Sequence, residues 1–123
     1  MKQDKNQMKG SPVVRFDIGC QSSEATQAFY IEVFGWKMNP SQHTTDVDTN
    51  STEGIPGSIT SLGHEPHQYI MIYIQVESVT ESIESIEAHG GKHHIGPLPT
   101  GKGDFFAWVH DPGGNMLGIV GGE

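Results

Sequence analysis

Histidine is a common ligand of divalent metals, and this 123-residue chain holds seven histidines. Their spacing argues against a helical metal site. His64 and His67, in "GHEPH", straddle Pro66, which blocks a helix, so they do not share a helical face. His93 and His94 are adjacent in a short strand and point to opposite faces. His43 sits in a polar loop and His110 opens an Asp-Pro turn. The metal reading left among them joins His94 or His110 to a carboxylate.

A second set of residues suits ligand binding. In "VVRFDIGC" (13–20) strict alternation puts Arg15 and Asp17 on one face of a strand. A guanidinium fork fits a carboxylate or phosphate, and a carboxylate can act as a base or receive a cation. An ion pair between Arg15 and Asp17, or another acid, is compatible with both roles. In "YIMIYIQV" (69–76), Met71, Tyr73 and Gln75 share a face. There a phenol and an amide could orient a ligand while Met71 fills space. In "FFAWVH" (105–110), Phe106 and Trp108 alternate with Ala107 and Val109. If the small residues lie under a helix, the aromatic pair is free to stack on a ligand ring. The opposite parity would make them core or interface residues, and the first is favoured. Cys20, the only cysteine, closes the apolar side of the first strand and reads as a small buried hydrophobe. "LPTGKGDF" (98–105) reads as a surface hairpin in preference to a lid. Gly118, mid-strand in "NMLGIV" (115–120), marks a close approach to the backbone.

The elements that must position these residues come in a repeated order. The first strand is followed by a helix over 22–35, with Ser22 or Ser23 as its cap, Gly35 as its stop, and Ala25, Ala28, Phe29 and Val33 as its apolar stripe. Strands are expected at 36–39, 44–49 and 57–62. The order then begins again with the strand at 69–76. A helix over 78–91 carries a Ser78…Glu81 capping box and the stripe Val79, Ile83 and Ile86. Strands at 92–95, 105–110 and 115–120 follow. A shift of 56 residues lays Phe16 on Ile72 and Gly35 on Gly91. Two β-α-β-β-β modules are implied, 12–63 and 68–121, within one domain (12–123). Each is small enough that a shared core is expected.

Composition limits the partners. The polar stretch 1–11 is expected to be a disordered tail. The net charge is −8, and the tail carries three lysines against Asp4, so the body carries −10 (−8 minus +2). An acidic body lacks the footprint for nucleic acid, and nothing here suggests a membrane surface. No apolar run nears 18 residues and no secretory leader is visible, so a cytoplasmic protein is expected.

Two stretches carry a family resemblance: "AFYIEVFGW" (28–36) after the first strand and "HDPGGNMLGIV" (110–120) at the end. With the repeated module order, they resemble the vicinal oxygen chelate superfamily, which includes glyoxalases, extradiol dioxygenases and bleomycin-resistance proteins. The likeness covers about residues 12–121. It implies an α+β fold in which two βαβββ modules form a cupped mixed sheet with helices on the convex face. In metal-using members, one His, Glu or Gln from each of four strands enters the cup. Those positions fall on Arg15, Met71 and Gly118, and, by the 56-residue offset, on Leu62. None of the four is a credible ligand for a divalent metal. The resemblance therefore implies a small-molecule-binding member with no cofactor and no metal at the usual place. Its ligand would meet Arg15, Asp17, Met71, Tyr73, Gln75, Phe106, Trp108 and the backbone at Gly118. The alternatives are a metal-dependent lyase or dioxygenase with relocated histidine ligands, a protein that sequesters a cationic drug, and an accessory module whose cup is filled by Phe106, Trp108 and Met71. Relatives of this length imply a homodimer. Catalysis is left open.

Overall fold

The structure, a computed structural model, describes residues 10–41, 44–63 and 65–123. The expectations for residues 1–9, His43 and His64 lie outside the described residues. The chain runs β1 (Val13–Gly19), α1 (Ser23–Phe34), β2 (Lys37–Pro40), β3 (Thr44–Asp48), β4 (Gly57–Thr60), β5 (Tyr69–Ser78), α2 (Val79–Ala88), β6 (Lys92–Pro99), β7 (Phe105–His110) and β8 (Met116–Gly122). Two β-α-β-β-β units are therefore present. Both helices start at serines: Ser22 Oγ accepts from Ala25 N–H, and Ser78 Oγ accepts from Glu81 N–H. Gly35 ends α1 in the left-handed region at φ 73°, where a side chain would be strained.

All eight strands form one mixed sheet in the order β2-β3-β4-β1-β5-β8-β7-β6. The units meet at β1 and β5, which pair antiparallel with Phe16 opposite Ile72. Within each unit the first strand pairs parallel with the last, β1 with β4 and β5 with β8. This order puts β1, β4, β5 and β8 at the centre of the sheet. Both helices cover the same face, and the other face is open.

The apolar residues beneath the helices form two clusters. Under α2 lie Val79, Ile83, Ala107, Val109 and Ile119. Under α1 lie Cys20, Val47 and Ile59, with Phe16, Ile18, Tyr30 and Trp36 against them. The shared core expected from module size does not form, because the helices sit over opposite ends of the sheet.

Three other expectations are corrected. The apolar stripe of α1 faces outward: Phe29 and Val33 are 53% and 57% exposed. Tyr30 and Gln27 meet the sheet instead. Tyr30 stacks on Trp36 at 4.7 Å, and Gln27 Nε2 donates to Thr45 Oγ1 at 3.0 Å. Strand β6 extends through Gly96 and Pro97 to Pro99, which an edge strand tolerates because no neighbour needs the missing N–H. Leu62 lies beyond β4, since that strand ends at Thr60.

Separate clusters predict independent energetics. Ile59→Val and Ile83→Val should each cost about 1 kcal/mol in urea unfolding. The double variant should lose their sum within about 0.5 kcal/mol. A coupling above about 1 kcal/mol would instead reveal one continuous core.

Candidate functional site

The open face carries its chemistry on the four central strands. Residues paired across strands share a face, so register decides what meets. Asp17 lies opposite Ser58 on β4 and Met71 on β5, Gly19 opposite Tyr69, Arg15 opposite Tyr73, and Gly118 between Tyr73 and Trp108.

Asp17 is the polar centre of this face, and the residue is only 3% exposed. Three hydroxyls donate to it. Thr60 Oγ1 (2.8 Å) and Ser58 Oγ (3.2 Å) reach Oδ1, and Tyr69 O–H reaches Oδ2 at 3.3 Å. Burial raises its carboxyl above the ordinary value of 3.8; the three hydroxyls and then Arg15 pull the other way without cancelling the shift. The phenol of Tyr69 is raised too, by burial and then by the neighbouring Asp17. Tyr69 therefore remains a hydrogen-bond donor at neutral pH.

Two tyrosines lie flat on two glycines. A Cβ at Gly118 would collide with the Tyr73 ring and stand 2.7 Å from Cζ. A Cβ at Gly19 would collide with the Tyr69 ring and stand 2.6 Å from Cζ. Gly118 is without a side chain because an aromatic ring occupies that space. Trp108 Nε1–H donates to the Tyr73 hydroxyl at 2.8 Å, and the indole meets the Tyr69 ring edge-on at 5.8 Å. Burial pushes the Tyr73 phenol up to about 12. Met71, 1% exposed, fills the space between the tyrosines on β5.

Of the two partners expected for Arg15, Asp17 or another acid, the structure gives another acid, Asp46. Arg15 Nη2 donates to the Gly57 carbonyl at 2.9 Å and reaches Asp46 Oδ1 at 3.5 Å. Lys102, from the β6–β7 turn, reaches Asp46 Oδ2 at 3.5 Å. Phe106 lies on the open face with Trp108 and is half-buried. Gln75 sits apart, exposed near the end of β5, where its backbone N–H bonds Pro12. The structure thus gathers Arg15, Asp17, Met71, Tyr73, Trp108 and Gly118, with Phe106 beside them and Gln75 outside.

Ser58, Thr60, Tyr69 and Asp46 were missed by sequence reasoning. Tyr69 had a visible signal, since it shares the period of Met71 and Tyr73. Ser58, Thr60 and Asp46 depend on strand register, which the sequence does not display. Cys20 is buried, with Sγ 3.7 Å from the Thr60 carbonyl.

The superfamily metal does not fit these side chains. The repeat relates Arg15 to Met71 and Asp17 to Tyr73. Asp17 pairs with Ser58 and Tyr73 with Gly118, so the fourth position is Ser58 in place of Leu62. A guanidinium, a thioether, a hydroxyl and a glycine make no divalent-cation site. Of the histidines, His93 Nε2 lies 2.7 Å from the Gly96 carbonyl. His94 stacks on Trp108 at 6.3 Å and meets His110 edge-on at 5.2 Å. Among the described residues no three His, Cys, Asp or Glu side chains converge as a metal site would require.

The raised Asp17 carboxyl gives stability a pH dependence of definite sign. The folded chain holds the Asp17 proton to higher pH than the unfolded chain does. Stability should therefore fall as pH climbs from near 3.8 through the folded value. Asp17→Asn keeps the shape and removes the ionisation. Melting curves from about pH 3.5 to about 7 should show the wild type losing stability relative to this variant. A difference that stays constant over that range would mean the carboxyl is not shifted.

Comparison with known proteins agrees with this architecture. The chain matches the Glyoxalase/Bleomycin resistance protein/Dioxygenase superfamily over residues 13–119. Hypothetical protein BH1468 from Bacillus halodurans C-125 has the same fold, with TM-score 0.67, 19% identity, and 94% of this chain and 96% of that one covered. Methylmalonyl-CoA epimerase from Mycobacterium tuberculosis superposes with TM-score 0.65 at 12% identity, covering 94% and 93%. Methylmalonyl-CoA epimerase from Streptomyces coelicolor, bound to 2-nitronate-propionyl-CoA, gives 0.61 at 14% identity, covering 91% and 97%. No curated protein matches the chain in sequence. At these identities the structural likeness shows the fold alone. The match over residues 13–119, on a sheet built from two β-α-β-β-β units, shows that the chain belongs to the Glyoxalase/Bleomycin resistance protein/Dioxygenase superfamily.

Proposed function

We propose that this protein binds a small, ring-bearing organic molecule on the open face without a divalent metal at the superfamily position. The observation that carries the reading is Tyr73 lying over Gly118 and hydrogen-bonded to Trp108. A ring, and no donor atom, occupies the place of the metal-binding carboxylate. Tyr69, Tyr73 and Phe106, each partly exposed, offer aromatic surface, and the buried Trp108 backs it. Charges around this surface offset one another, Arg15 and Lys102 against Asp46. That balance favours shape and ring contact over attraction of a cationic drug. Asp17 is committed to three hydroxyls, so its role is to hold β1, β4 and β5 in register beneath the ligand.

Native mass spectrometry of protein purified without a histidine tag tests this. The expected spectrum shows an organic adduct that organic solvent removes, and a protein mass that chelation with EDTA leaves unchanged. One tightly held transition metal per chain would overturn the reading.

We also infer a twofold dimer through the helix-bearing face. Ile70 and Ile72, in mid-sheet between the helices, are 75% and 44% exposed. An apolar hollow of about 560 Å³ opens beside them, walled by Ile74, Val76, Ile86 and Leu117. Apolar surface of this kind marks a contact site. Light scattering should give the mass of two chains. Ile70→Lys with Ile72→Lys should give one chain with unchanged circular dichroism. A wild-type monomer at micromolar concentration would refute the dimer.

A further inference from the structure

The indole N–H of Trp108 can only donate, and it donates to the Tyr73 hydroxyl oxygen. The hydrogen of that hydroxyl is left without an acceptor among the described residues. Asp17, the carboxylate on the same face, already receives Ser58, Thr60 and Tyr69. The half-buried Tyr73 side chain stands on the open face opposite Arg15. Its ring cannot swing toward the backbone, because it already rests on Gly118. The result is one oriented O–H donor whose partner comes from beyond the described residues.

The surroundings define that partner. An anionic partner would have to compete with Asp46, which both Arg15 and Lys102 reach. It would also lie close to the buried carboxyl of Asp17. A cationic or purely donating group would leave the Tyr73 hydrogen unmet. The chemistry that fits is a neutral oxygen acceptor on a molecule with a flat apolar body. Tyr69 and Phe106, both partly exposed on this face, supply ring surface beside the donor, while the buried Trp108 orients it.

We infer that the ligand is a neutral, ring-bearing carbonyl compound whose carbonyl oxygen accepts the hydrogen of Tyr73, a phenol oriented by Trp108. The inference rests on the metal-free binding proposed above. It gives Tyr73 the part of holding an oxygen of the ligand through one hydrogen bond from a neutral donor.

Two isosteric probes test it. Acetophenone carries the carbonyl oxygen, and α-methylstyrene replaces that oxygen with a methylene group. Wild-type protein should bind acetophenone about tenfold more tightly, the scale of one well-made hydrogen bond. Its carbonyl stretch should shift to lower frequency on binding. Tyr73→Phe keeps the ring on Gly118 and removes the hydroxyl. It should bind the two probes about equally, with the stretch back at its unbonded position. Equal binding of both probes by the wild type, or a preference that survives in Tyr73→Phe, would overturn the role of Tyr73 while leaving ring binding on this face intact. Binding of neither probe at millimolar concentration would overturn both. The infrared shift is measured on the wild type, so an unshifted stretch there overturns the role of Tyr73 even if the variant fails to fold.

Discussion

The antiparallel junction of β1 and β5 is the constraint on which this structure depends. Each unit buries its own apolar cluster under its own helix, so the clusters do not hold the halves together. The junction does, with Phe16 opposite Ile72 and Ile18 opposite Ile70. A slip of one residue there would turn every side chain of one strand to the other face. Asp17 would then lose Tyr69 and point into the cluster under α1, and Arg15 would lose its place opposite Tyr73. Asp17 guards this register. Its oxygens take hydroxyls from β4 and β5 at once, which only one alignment permits. Burial makes the carboxylate costly, and a slipped sheet would leave it buried and unpaired. The penalty falls on the wrong alignment more heavily than on the right one.

The floor of the open face follows from that register. Glycine in a strand is normally a weakness, because it brings entropy and no packing. Here two glycines each receive a tyrosine ring from a neighbouring strand, so the missing side chain is replaced by a larger one. The exchange has a chemical consequence. A side chain projecting from position 118 could bring a carboxylate into the cup. A ring lying across it brings apolar surface, with its hydroxyl bonded to Trp108. At position 118 a ring thus lies where a side chain could project, and the Trp108 hydrogen bond holds the tyrosine there.

Much of the fold was legible in the residues. The 56-residue repeat, the serine caps and the alternation of 13–20 and 69–76 all come from local periodicity, and the elements stand where that periodicity put them. The face shared by Arg15, Asp17, Met71 and Tyr73 was equally legible, because strand parity needs no tertiary knowledge. Contacts between strands were not. The partner of Arg15 is Asp46, from a strand two places away in the sheet, and no local pattern names it. The stripe of α1 misled for a related reason. Its apolar residues turn outward while Tyr30 and Gln27 face the sheet, so periodicity found a face but not its destination. Leu62 failed because a constant offset was carried past the point where the two units differ in length.

That difference in length has a structural meaning. Ser58 follows Asp17 by 41 residues, whereas Gly118 follows Tyr73 by 45. The helix stops Gly35 and Gly91 still obey the 56-residue offset, so the four extra residues enter after α2. By register Trp108 corresponds to Asp46, so the β6–β7 hairpin is six residues longer than its counterpart and the β7–β8 link two shorter; β6 has eight residues against four in β2. The lengthened hairpin carries Lys102 to Asp46, on the far half of the sheet. An insertion in one repeat therefore touches the other repeat across the face that holds the tyrosines. Lys102 is 71% exposed, and an ion pair that exposed contributes little stability. The hairpin thus reaches across the open face without being locked there by this pair.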